Sequence, residues 1–300
     1  MKVFTSELYP LGLPVNHRFP AIKYKILKQY LLEENIIQLE NLKESPLASF
    51  EELNLAHTDE YIFQMKSGNI PPEIMKRIGF PWSVDLYLRS CATVGGTLAA
   101  SQCALVEGIS GNLAGGTHHS HKDRGEGYCV FNDIAVSTRF LQANKLVQNV
   151  AIIDLDVHQG NGNSSILFYD PNVFIFSVHG EKNYPFKKVP SHLDIGLPDG
   201  CEDEEYIEAL LMGMDEIIKF NPDFVFYIMG ADPLIYDRLG TLNISFDGLM
   251  RRDRIVIRFC FENKIPLVLT LGGGYSEPII HSVHAYANTY RVVNEIYCKT

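Results

Sequence analysis

Short runs of Val, Ile and Phe recur along the chain, each followed by a stretch in which apolar residues return every three or four positions. The runs are Asn112–Ala114, Asn149–Leu155, Val173–Val178, Phe224–Met229 and Pro266–Leu271, and polar residues scarcely alternate within them. That pattern predicts strands buried on both faces, as in parallel sheets. The longer stretches predict helices over Ser83–Val106, Asn132–Asn144, Glu204–Phe220, Phe246–Asn263 and Glu277–Tyr297. Within Glu204–Phe220, the residues Tyr206, Leu210, Met214 and Ile217 share one helical face. Asn132 is placed to cap its helix. Strands alternating with helices predict an α/β fold with a mainly parallel central sheet, flanked by helices and wound through right-handed crossovers. No repeat and no low-complexity linker interrupts the pattern, so the 300 residues read as a single domain.

Polar residues gather where these runs end. Gly115-Gly116-Thr117-His118-His119 follows the first, and Asp154, Asp156 and His158 close the second. Ser177 and His179 close the third, Gly230-Ala231-Asp232 the fourth, and Gly272-Gly273-Gly274-Tyr275 the fifth. Open parallel sheets bind ligands at the carboxyl ends of their strands. Separate segments thus deliver chemistry to one sheet edge. Alternate residues of an extended segment point the same way, so Asp154, Asp156 and His158 share a face. Carboxylate and imidazole are ordinary ligands of divalent metals. Joined by Asp232, they form a set that leaves coordination positions for water and a carbonyl oxygen, as catalytic sites do. The oxygen-rich, single-imidazole set is not among the commonest zinc triads, which leaves Fe2+ open beside Zn2+. His118 and His119 are candidates for moving protons, and Tyr275 for polarising a carbonyl. The glycine run lacks the Lys-Ser/Thr of a phosphate loop and any G-x-G-x-x-G spacing.

Composition narrows the setting. Apolar residues at 46% and charged residues at 21% are ordinary for a globular chain that builds its own core. A net charge of −10 argues against a nucleic-acid binder, and an acidic surface suits cationic partners. The cysteines at 91, 103, 129, 201, 260 and 298 form no C-x-x-C pair, which predicts buried, reduced thiols. The N-terminal residues lack the uninterrupted apolar region of a secretory signal, and no run is long enough to span a bilayer. A cytoplasmic location is expected.

The segments GGTHHSHKDRGEGYCVFND, IIDLDVHQGNGN and GADPLIYDRLGTLNIS, with Asn16-His17-Arg18-Phe19-Pro20, Ala56–Tyr61 and Gly274-Tyr275, resemble the zinc-dependent histone deacetylases of the arginase/deacetylase fold. The closest look is to class IV and its bacterial relatives. The resemblance runs over nearly the whole chain and implies one catalytic domain over residues 1–300. It implies Asp156, His158 and Asp232 as metal ligands, His118 and His119 as the tandem catalytic histidines, and Tyr275 as the carbonyl-polarising tyrosine. Gly127 and Tyr128 match the acyl-lysine tunnel, where Tyr128 replaces a usual Phe. Asp154 and Ser177, with backbone carbonyls of Asp156, His158 and Val178, match a structural K+ or Na+ site. The implied substrate is an acylated lysine in protein or peptide, with no direct role for nucleic acid.

Departures from the family pattern carry information. Class I members place an Asp behind the second histidine, where this chain has Asn161; a neutral amide stabilises an imidazolium less, which predicts a weaker base at His119. No acidic rim residue, which the family uses to grip the substrate backbone, appears around Gly79–Asp85. A small-molecule amidohydrolase such as an acetylpolyamine deacetylase is the near alternative, and a silent acyl-lysine reader the distant one. A two-manganese ureohydrolase would need Asp-x-x-Asp companions near Asp156 and His158, which are missing. Class IV resemblance also implies long acyl chains, for which glycines 115, 116, 127 and 272–274 would leave room.

Overall fold

A computed structural model describes residues 1–14 and 17–298, so Asn16 of the resembling segment lies outside the described residues. Eight strands form one sheet. They are β1 (Val3–Thr5), β2 (Leu42–Glu44), β3 (Ile109–Asn112), β4 (Val150–Asp154), β5 (Val173–Gly180), β6 (Leu193–Leu197), β7 (Phe224–Ile228) and β8 (Leu267–Thr270). Their spatial order is β2-β1-β3-β8-β7-β4-β5-β6, and every neighbouring pair is parallel. From β4 the chain winds outward through β5 to β6, then returns to build β7 and β8 on the other side. The winding therefore reverses at β4 and β7, where a parallel sheet opens a crevice for ligands.

The apolar runs are continuous because both faces of the sheet are covered. Ala151 and Ile153 of β4 join one core with Leu27 of α1 (Ile22–Glu33), Leu210 of α8 (Asp203–Phe220), Val256 of α9 (Phe246–Glu262) and Tyr290 of α10 (Ile280–Tyr297). Val150 and Ile152 join the other with Ile62 of α3 (Asp59–Ser67), Val94 of α5 (Val84–Glu107), Ile134 of α6 (Asp133–Ala143) and Leu167 of α7 (Asn161–Leu167). Successive residues of one strand thus feed opposite cores, as the pleat requires. The remaining helices, α2 (Phe50–Leu53) and α4 (Pro72–Ile78), are short. Asn132 caps α6, accepting the Ala135 amide at 2.8 Å.

Several expectations are corrected. The first strand runs over Ile109–Asn112 and shares only Asn112 with the expected Asn112–Ala114. Ser110 and Gly111 made it read as polar, yet Ser110 donates to the Lys2 carbonyl and Gly111 packs beneath Tyr290. Strands β1, β2 and β6 carry no comparable apolar run, being short or at the sheet edges, and α1, α2, α3, α4 and α7 likewise lie outside the expected helices. All cysteines are free, but Cys103 is half-buried and Cys298 exposed rather than buried. Among the described residues no helix is long and apolar enough to cross a membrane.

Candidate metal centre and active site

The turn after β4 carries Asp156 and His158, and the turn after the adjacent β7 carries Asp232. One ligand atom from each lies within 4.8 Å of the others, and all are buried. The backbone fixes both carboxylates: Asp232 Oδ1 accepts the Val157 amide at 3.0 Å, and Asp156 Oδ2 accepts the Gly273 amide at 2.5 Å. Gly272 has φ +67°, and a Cβ there would stand 2.7 Å from Asp156 Oδ2, so a side chain would both strain the turn and crowd the carboxylate. His158 Nδ1 lies 3.0 Å from Asp156 Oδ1 and 3.1 Å from Asp232 Oδ2. Burial, and then the Asp156 charge, push Asp232 up to about 7. Two carboxylates and an imidazole converge at one buried point, and a divalent cation fits that donor set.

A clamp lies behind this cluster. The buried Arg252 of α9 donates to the Gly230 carbonyl at 2.7 Å and to the Leu155 carbonyl at 3.4 Å, and it pairs with Asp253 at 2.9 Å. One guanidinium thereby ties together the two turns that hold Asp156, His158 and Asp232.

His118 and His119 lie beside the cluster, their ring centroids 4.1 Å apart. His118 Nδ1 meets Asp154 Oδ2 at 2.8 Å, and His119 Nδ1 meets Asn161 Oδ1 at 2.8 Å. With each Nδ1–H donated to an oxygen, each neutral ring keeps an acceptor lone pair on Nε2. The two differ sharply in charge preference. Burial opposes protonation of His118, but the Asp154 and Asp156 charges outweigh it and raise it to about 9. Burial, with His118 and His158 nearby, drives His119 well below the ordinary imidazole value. Asn161 passes the interaction on, donating Nδ2–H to Glu126 Oε1 at 2.6 Å. The carboxylate that the sequence placed nowhere behind His119 is thus present one step further out.

Tyr275 is buried with its ring 6.4 Å from that of His158, and its amide donates to Asp237 Oδ2 at 2.6 Å. Gly127 and Tyr128 both adopt left-handed backbone, at φ +56° and +64°. A Cβ at Gly127 would approach the His119 ring to 2.6 Å, so the wall passes close to the histidine only without a side chain there. A cavity of about 450 Å³ opens from the surface onto His119, His158 and Tyr275, with Gly127, Tyr128 and Tyr184 in its wall. Asp154 and Ser177 are register partners on β4 and β5, with Val178 next along, and Ser177 Oγ lies 2.9 Å from His179 Nδ1.

Sequence reasoning missed Lys23, Glu126, Tyr184, Asp237 and Arg252. Lys23 is buried on α1, its Nζ donating to the Gly274 carbonyl at 3.1 Å and lying 4.9 Å from the centroid of the Tyr275 ring. The rings of Phe19, Tyr24 and Tyr286 surround the same ammonium at 5.3, 5.4 and 5.8 Å. Its signal was legible: Lys23 shares a helix face with Leu27 and Leu31, an apolar stripe where a cation is out of place. Glu126 stood inside a quoted segment, but its use depends on a contact across 35 positions.

The expected room is not found beside Gly115, Gly116 and Gly272, whereas Gly127 does line the open cavity. A Cβ at Gly116 would meet the backbone of Gly272 at 2.7 Å, and Gly115 faces Thr97 at 3.0 Å. These glycines let strand-end turns pack on one another.

An all-parallel sheet with a buried carboxylate–imidazole cluster at its switch point defines an α/β protein of the arginase/deacetylase architecture. The histone deacetylase domain model matches residues 17–290. An uncharacterized protein of Picosynechococcus is 39% identical over 96% of this chain and 97% of its own length. Histone deacetylase 2 of Arabidopsis thaliana is 31% identical over 88% of this chain and 71% of its own length. The crystal structure of a histone deacetylase homolog from Aquifex aeolicus superposes with a TM-score of 0.82 at 25% identity, covering 98% of this chain and 84% of that one. The chain belongs to the histone deacetylase family, whose members are generally metal-dependent deacetylases.

Proposed function

We propose that the protein hydrolyses the Nε-acyl amide of lysine side chains in protein or peptide, with zinc at Asp156, His158 and Asp232 and iron(II) as the alternative. The observation that carries this reading is the convergence of that cluster, the histidine pair and Tyr275 on one cavity. A divalent cation held there supplies Lewis acidity toward the amide carbonyl and makes water a better nucleophile at neutral pH. Tyr275 donates its hydroxyl to the carbonyl oxygen and stabilises the oxyanion as the carbon becomes tetrahedral. His119, short of protons and oriented by Asn161, accepts the proton of the attacking water at Nε2. His118, hydrogen-bonded to Asp154 through Nδ1, lies beside His119 and is placed to balance the developing negative charge. The proton taken up at His119 passes to the departing lysine nitrogen, and the products are a carboxylic acid and free lysine. Asp154 and Ser177 are assigned to a K+ or Na+ site that stiffens the ends of β4 and β5.

The segments IIDLDVHQGNGN and GADPLIYDRLGTLNIS support a place near class IV, and six unpaired cysteines support a reducing, cytoplasmic setting. The test is turnover of an acetyl-lysine peptide against an acetylpolyamine by protein stripped of metal and reloaded with zinc or iron(II). Peptide turnover restored by metal is the expected result; turnover of the polyamine alone would refute the substrate. Asp232→Ala is expected to lose most bound metal and most activity while remaining folded, checked by elemental analysis beside circular dichroism.

A further inference from the structure

The mouth of the active-site cavity has the opposite charge to the protein. The chain carries a net charge of −10, yet the cavity wall holds Lys76, Arg77 and Lys182 and, among the described residues, no carboxylate. All of these cations are exposed, whereas His119 and Tyr275 at the inner end of the same cavity are buried. The charge is therefore concentrated where a bound peptide would leave the cavity, and not where the acyl group would lie.

The backbone fixes this placement. Gly127 donates its amide to the Arg77 carbonyl at 3.0 Å, and Tyr128 donates to the Ile78 carbonyl at 2.8 Å. The last turn of α4 is thus bound directly to the tunnel wall, and Lys76 and Arg77 stand at its lip. Lys182 comes from the segment after β5 and is partly neutralised by Asp199 at 3.1 Å. Among the described residues no ion pair engages Lys76 or Arg77. Cations in the last turn of a helix also suit its dipole. That role explains neither Lys182, which lies on a different segment, nor a wall without carboxylates. The surface-wide negative charge is screened beyond about 10 Å in ordinary buffers, so a peptide at the lip responds mainly to its neighbours.

We propose that the site selects acyl-lysines lying in acidic sequence, with Lys76, Arg77 and Lys182 contacting carboxylates flanking the modified residue. This inference rests on the acyl-lysine reading above and adds the charge of the substrate. It reverses the expectation from net charge alone, because a cationic polyamine is what this mouth repels.

The experiment uses the intact metal-loaded protein and acetyl-lysine peptides flanked on both sides by Glu, by Gln or by Lys. Exposed ion pairs contribute from about 1.5-fold to about 5-fold each, so kcat/KM for the Glu peptide is expected to exceed that for the Lys peptide by about tenfold at low salt. The difference should lie in KM and shrink at about 0.5 M NaCl, where the screening length falls to about 4 Å. K76E combined with R77E should invert the preference, each protein being compared on its own Gln peptide. Should the reversal variant fail to fold, K76Q with R77Q is expected to abolish most of the preference. Equal use of the peptides, a Lys preference, or a preference unmoved by these variants overturns the charge inference and leaves the acyl-lysine reading standing. Rapid turnover of an acetylpolyamine with none of the peptides cleaved overturns both.

Discussion

At the scale of single residues, the proposed mechanism gives the phenol of Tyr275 a definite chemical task. Burial and the nearby Asp232 and Asp156 charges hold it well above the ordinary tyrosine value, so it remains a protonated donor across the working pH range. Tyr275→Phe removes one oxyanion donor and is expected to lower kcat by about a hundredfold or more, with metal content unchanged. Survival of kcat within about twofold in steady-state assays would reduce Tyr275 to a wall residue. Glu126 acts at one remove. Hydrogen bonds from His121 and Asn161 overcome its burial and hold it down at about 2, so it is a carboxylate wherever the enzyme works. Glu126→Gln keeps the shape but removes the charge behind Asn161. A fall of about tenfold in kcat with little change in KM is expected, on the scale of losing an outer partner of an oriented histidine. Unchanged kcat would show that Asn161 orients His119 unaided. These residues divide cleanly in legibility. Asp156, His158, Asp232 and Tyr275 close apolar runs and announce themselves, whereas Glu126 and Arg252 gain their meaning from contacts that no local pattern encodes.

Among the elements, α1 shows best what a local pattern conceals. The helix buries Lys23 in line with Leu27 and Leu31, and burial lowers that ammonium to about 8 despite the favourable Asp232, Asp237 and Asp156 charges. In the unfolded chain it binds its proton up to about 10.4. Between those values the unfolded state holds more protons, so this residue makes stability rise as pH rises from about 8 toward 10.4. Below about 8 its full cost is present, on the order of 3 kcal/mol, because each tenfold loss of proton affinity corresponds to about 1.4 kcal/mol. Lys23→Met is therefore expected to raise the thermal midpoint by a few degrees. It is also expected to lower kcat, because Gly274 loses its donor and the Tyr275 turn its cationic support. Calorimetry and kinetics on the same sample check both; a lower midpoint with normal kcat would show that Lys23 serves only the fold. The strands follow a simpler rule. β4, β5, β7 and β8 were legible because both faces are apolar, while β3 was displaced by its Ser110 and Gly111 and the edge strands gave too few residues to read.

For the molecule as a whole, the cavity sets the acyl group. It measures about 450 Å³ but opens to the surface, and the hollow lined by Tyr128, Phe19, Gly115 and Phe131 holds only about 50 Å³. A buried methylene contributes about 0.8 kcal/mol only where a dry pocket receives it. With Gly115, Gly116 and Gly272 packed against protein, kcat/KM on one peptide is expected to fall steadily from acetyl through butyryl and octanoyl to myristoyl. A rise with length would reveal a channel that opens on binding.

The Arg252 clamp has a consequence for how the metal is held. Its guanidinium bonds both turns directly, so the spacing of Asp156, His158 and Asp232 rests on protein contacts and not on a bound ion alone. A protein with large cores on both faces of its sheet is expected not to collapse when chelated, as small zinc domains do. Chelation should leave an intact scaffold that reloads quickly, and occupancy in the cell would follow whichever divalent ion is most available. Arg252, which is not among the residues lining the cavity, is then expected to influence how readily one metal replaces another.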